Sequence, residues 1–161
     1  MADTTYTPKV YRDSGGDRIN VVSGGTLSIE AGATLTSAVG FRSSGAASGI
    51  GYATGAGGAV TQITSRSTGV TVNAICGTIT TDATSLAAGA EATFTVTNSS
   101  VDIGDVVVVS LRSGATTGTS IPVVTAVAAG SFDITLTNLH AATADTGASV
   151  INFAVIKAVS A

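Results

Sequence analysis

Only a handful of residues in this 161-residue chain could do covalent or metal chemistry. His140 is the one histidine, set in "TNLHAATADTG" with Asp145 close behind it. A histidine that activates a nucleophile needs a serine or cysteine placed against it. No G-x-S-x-G elbow singles out one of the many serines for that task. Cys76 is the one cysteine, so no intrachain disulfide can form. It closes the alternating run "GVTVNAIC" (69–76), on the side of Val70, Val72 and Ala74, and is expected as a small buried hydrophobe. A single histidine makes no typical zinc site without cysteine or carboxylate help. Asp102 and Asp105, in "VDIGD", flank a glycine. Calcium needs six or more oxygens. Here the acidic run stops at two and becomes a strand, so a turn accounts for both.

Two softer chemistries remain. The stretch "SSGAASGIGYATGAGGA" (43–59) is rich enough in glycine to suggest a phosphate cradle. It lacks the Lys-Ser or Lys-Thr that should follow, and no helix is signalled after it. Sugar sites set an aromatic platform beside Asn, Asp or Glu. This chain has no Trp, and most of its four Phe fall at strand-core positions. No catalytic residue, metal or cofactor is expected, and the chain is read as a non-enzyme. What is left is the chemistry of surfaces.

The composition agrees. Charged residues make up 11% of the chain, against about 25% in ordinary soluble domains. A surface so poor in charge is expected to be covered by a neighbour. The net charge of −3 and the scattered Lys and Arg exclude a phosphate-neutralising stripe, so no nucleic-acid partner is expected. No apolar stretch approaches the 18 or more residues of a membrane span. The start, "MADTTYTPKV", carries no secretory signal. The chain is expected to be soluble and made in the cytoplasm.

The elements that would position such a surface follow in order. Residues 1–18 are polar, with a Pro and a Gly pair, and are expected as an extended arm that orders on a partner. Tyr6 and Tyr11 are its aromatic anchors, flanked by Lys9, Arg12 and Arg18. Tyrosine suits such contacts because it buries a ring and keeps a polar tip. Residues 19–42 contain an eight-residue unit written twice. "VVSGGTLS" (21–28) lies over "IEAGATLT" (29–36), matching Val21 to Ile29, Gly24 to Gly32 and Leu27 to Leu35. Extended chain ending at a glycine corner, at fixed spacing, is the pattern of a β-helix. Such solenoids need about three or more repeats to bury a core, and two are present. Three chains would supply six. The unit is therefore expected to be completed by sister copies, with Val21, Leu27, Ile29 and Leu35 at the trimer contact. A hairpin with two similar strands is the alternative. Residues 43–59 are a Gly-rich linker or loop.

From residue 60 to 161 the pattern becomes alternation. "ATFTVTN" (92–98) sets Ala92, Phe94 and Val96 against three threonines. "FDITLTN" (132–138) does the same with Phe132, Ile134 and Leu136. Alternation marks half-buried strands. "DVVVVSLR" (105–112), apolar on both faces, is expected as a central strand. "IPVVTAV" (121–127) and "SFDITLTN" form a hairpin across "AAG". With "AVTQI" (59–63) and "SVINFAVIKAV" (149–159), seven or eight short strands predict an antiparallel, jelly-roll-like β-sandwich. The fold class is all-β.

The segments "GYATGAGGAVTQITSRSTGVTVNAICGTITT" (51–81) and "INFAVIKA" (151–158), with "DVVVV" between them, resemble a family of tailed-bacteriophage capsid decoration, or cement, proteins. "INVVSGGTLSIEAGATL" is similar to the β-helical segments that often precede that module. The resemblance spans roughly residues 19–161. It implies a homotrimer on the outer surface of a virion, bridging major capsid protein subunits at three-fold or quasi-three-fold positions. The arm residues would then contact the capsid. A trimeric fibre or tail tip that binds a host receptor or glycan is the alternative.

Overall fold

The computed structural model describes residues 10–12, 19–22, 24–30, 33–35, 49–114 and 120–158. Two compact units divide between Gly49 and Ile50. Every regular element among the described residues is a strand.

In the first unit, β1 (Val10–Arg12) pairs antiparallel with β2 (Ile19–Val21), setting Val10 opposite Val21 and Arg12 opposite Ile19. The hairpin straddles the boundary drawn between arm and repeat. Beyond it, both copies of the octad turn alike. The Gly25 N–H donates to the Val22 carbonyl at 2.8 Å, and the Ala33 N–H to the Glu30 carbonyl at 3.0 Å. These bonds lie eight residues apart, at equivalent positions. Gly24 has φ 75° at the third position of its turn, where a type II turn requires a left-handed residue.

The second unit holds two four-stranded sheets. One contains β3 (Gly57–Thr61), β5 (Cys76–Thr80), β7 (Val106–Ser113) and β10 (Val150–Ile156), in the order β3-β5-β10-β7. The other contains β4 (Val70–Thr71), β6 (Glu91–Thr97), β8 (Ser120–Ala128) and β9 (Ser131–Asn138), in the order β4-β6-β9-β8. The sheets are mixed, which corrects the expectation of a purely antiparallel sandwich. β3 runs parallel to β5, and β4 parallel to β6. The cause is that β3, β4, β5 and β6 alternate between the two sheets, so each parallel pair is joined through a strand of the other sheet instead of by a hairpin.

The sheets share one core. Phe94, Val96, Phe132 and Ile134 from one sheet meet Ile79, Ile151, Phe153 and Val155 from the other. The Phe132 and Phe153 rings lie 5.8 Å apart, tilted by 45°. The alternating runs 92–96 and 132–136 therefore point inward as their spacing demands. The β8–β9 hairpin forms as read, and Pro122 sits on edge strand β8, where a missing N–H does least harm.

Two expectations fail here. The run 69–76 is not one strand. Val70 and Val72 are buried, but the crossing carries Cys76 to the start of β5, where it is only half-buried. The glycine that follows allows β3 and β5 to approach closely. A Cβ on the next residue, Gly77, would lie 2.0 Å from the Gly58 carbonyl oxygen of β3. The second failure is β7. Its apolar residues on both faces suggested a central strand, yet it closes one edge of its sheet, with β10 taking the central place. Val107 turns inward and is buried, whereas Val106 and Val108 turn outward and stand exposed.

Candidate functional site

The residues expected to carry a trimer contact are exposed in the single chain. Leu27 is 57% exposed, Leu35 54%, Ile29 45% and Val21 43%. Val22 adds a fifth apolar side chain to this stretch. The repeated turn explains their placement. Leu27 and Leu35 each lie two residues after the N–H that closes a turn, so the two copies place them alike. Isolated exposed apolar residues are ordinary, but here five fall within fifteen residues of one segment. Of the residues expected on the arm, Tyr6, Lys9 and Arg18 lie outside the described residues. Tyr11 and Arg12 belong to β1, opposite Asn20 and Ile19.

The residues singled out for chemistry are committed to structure. His140 follows β9 in a loop, and its Nδ1 accepts the N–H groups of Ala142 and Thr143 at 3.1 and 2.8 Å. Asp145 is fully buried and faces Arg66, with Nη1 to Oδ2 at 3.3 Å. The Ser120 hydroxyl donates to the same Oδ2 at 2.6 Å. A nucleophilic triad needs an imidazole between its serine and carboxylate, and here the two bond directly. Among the described residues, no group of His, Cys, Asp and Glu gathers as a metal would require.

The Arg66 network is the feature that sequence reasoning missed. Arg66 sits between β3 and β4, nearly fully buried. Its Nε donates to the Thr84 carbonyl at 2.5 Å, and its Nη2 to the carbonyls of Asp145 and Gly147 at 3.3 and 2.7 Å. Gln62 supports it, donating to the Arg66 and Thr68 carbonyls and accepting the Asp82 N–H. One planar side chain thus ties together three loops, and Asp145 adds the start of β8. No local pattern signals this, since Arg66 and Asp145 are 79 residues apart.

Asp102 and Asp105 form the expected turn. The Asp105 carboxylate accepts the Asp102 N–H at 2.8 Å, the Lys157 ammonium at 2.5 Å and the Ala158 N–H at 3.1 Å. The Lys157 hydrogen bond, then the Asp102 N–H, hold its carboxyl below the usual aspartate range. A carboxyl lowered by folding stabilises the fold above its unfolded value of about 3.9. That contribution is lost as pH falls through the folded value. Lys157→Met should therefore melt below the parent at neutral pH, and the gap should close as pH drops below about 4. A gap unchanged from pH 7 to pH 3 would show that the ion pair contributes nothing.

The outer faces of the two sheets differ. On the β6–β9 face, hydroxyls pair across strands. Thr93 meets Thr135 at 2.7 Å, and the Thr95 hydroxyl donates to Asp133 at 2.7 Å. On the β10–β7 face, Ile156 lies opposite Val106 and Ala154 opposite Val108. No helix among the described residues is long and apolar enough to cross a membrane. No protein-family model matches the chain, and neither does any curated protein or solved structure compared with it.

Proposed function

We propose that this chain is a structural protein that works by assembling with copies of itself, and that it decorates and cements the outer surface of a tailed-phage capsid as a homotrimer. One observation carries the reading. The octad repeats as a real turn, at equivalent positions, with Leu27, Ile29 and Leu35 exposed beside it. Two turns bury no core of their own, and three chains would supply six. An intertwined β-helix-like segment is the geometry this favours, followed along the chain by a jelly-roll-like sandwich. The capsid as the partner rests on the likeness of residues 51–81 and 151–158 to decoration proteins.

The mechanism is mechanical. A head packed with DNA fails first at the seams between capsomers. A trimer seated across three major capsid subunits adds contact there, and its three arms act at high effective concentration. Tyr6, Lys9, Tyr11, Arg12 and Arg18 are the proposed capsid contacts. Sedimentation should give three times the 15.6 kDa chain mass. Added to undecorated heads, the trimer should bind over the whole shell and raise its heat resistance. A monomer at micromolar concentration would refute the assembly reading. Binding confined to tails would favour the fibre-tip alternative.

A further inference from the structure

One patch of the second unit is left unexplained by the octad. At one end of the β10–β7 sheet, Val106, Val108 and Ile156 are each about half exposed or more. Ala154 stands between them in the register. The segment Ile50–Tyr52 lies alongside, forming an apolar groove of about 500 Å³ with Ala154 and Ile156. The Tyr52 hydroxyl donates to the Val155 carbonyl and pins the segment there. Ile50 itself is 80% exposed.

We propose that this patch is a second contact between copies of the chain, in which Val106, Val108 and Ile156 of the three copies meet one another about the three-fold axis. The inference rests on the self-assembly reading above. Two observations favour a sister copy over an unrelated partner, and a third favours burial of the patch. First, the chain enters the sandwich at this patch. Copies joined through residues before 36 are tied to it by residues 36–49 only, a reach of at most about 50 Å. A tether that short holds the sister patches at an effective concentration near millimolar, which a free partner does not reach. Second, contacts between like surfaces set each charge against its own kind. The patch contains no charged side chain, and Lys157 at its border is already paired with Asp105. Third, the opposite outer face satisfies its hydroxyls across strands, as a solvated face does, and the apolar one has no such arrangement. An edge strand with valines outward invites association.

The test uses the full-length chain. Cys76→Ser removes the native thiol. Into that background go Ile156→Cys in one variant and Val123→Cys in another. Val123 is comparably exposed but lies on edge strand β8 of the opposite sheet. Each variant is sedimented, treated with a short bismaleimide and run on a denaturing gel. A trimer in which position 156 links chains at least tenfold more than position 123 supports the proposal. A trimer in which the two positions link equally, or position 156 does not link, overturns it while the octad assembly stands. A monomer overturns both.

Discussion

Arg66→Met is expected to cost the sandwich about 3–5 kcal/mol, the penalty for leaving a buried charge without its partner. Asp145 would lose the guanidinium and remain fully buried with only Ser120 and its other neighbours to solvate it. In a unit of this size that loss lowers the melting temperature by about 15 °C or more. Three carbonyls, of Thr84, Asp145 and Gly147, would also lose their donor. Asp145→Leu should be as costly for the opposite reason, since it strands the guanidinium. The pair Arg66→Met with Asp145→Leu should recover part of either loss, because two matched apolar groups leave no orphan charge. Thermal unfolding of the four proteins closes the cycle. Additive losses in the pair would show that the two residues act independently.

The second large effect is on assembly. Leu27→Asp places a carboxylate on the surface proposed to close between chains. Burying that charge costs several kcal/mol, and a symmetric trimer meets the cost three times. Since each 1.4 kcal/mol is a tenfold change in affinity, the trimer should be lost at micromolar concentration. The sandwich should melt as before, because Leu27 belongs to the other unit and is exposed in the single chain. Sedimentation and thermal melting of one preparation separate the two effects. An intact trimer would mean that Leu27 stays in solvent after assembly.

The strands with a clean period of two were legible from the residues alone. Phe94, Val96, Phe132 and Ile134 all turn inward as their spacing required. β7 was misread because apolar residues on both faces have two causes. A central strand is one, and an edge strand that leaves valines such as Val106 and Val108 exposed is the other; periodicity cannot separate them. The break at residues 72–75 was hidden for a related reason. Val70, Val72, Ala74 and Cys76 keep the alternation through a change of sheet. The octad was legible as a repeat, and its turn is seen twice. The Arg66 network was not legible, because its members are single residues spread over loops with no shared spacing. The Ile156 patch needed the register of β10 against β7 before its residues could be seen side by side.

The place of β10 bears on how the protein is made. It is the last of the described strands, yet it lies between β5 and β7 at the middle of its sheet. Until residue 156 has left the ribosome, β5 and β7 have nothing to join them, and the inner faces of Ile79 and Val107 have no completed layer to lie in. The octad, by contrast, emerges before the sandwich. Partly built sheets with bare edges are prone to aggregate. Removing only residues 150–161 should therefore give insoluble protein rather than a slightly weakened fold.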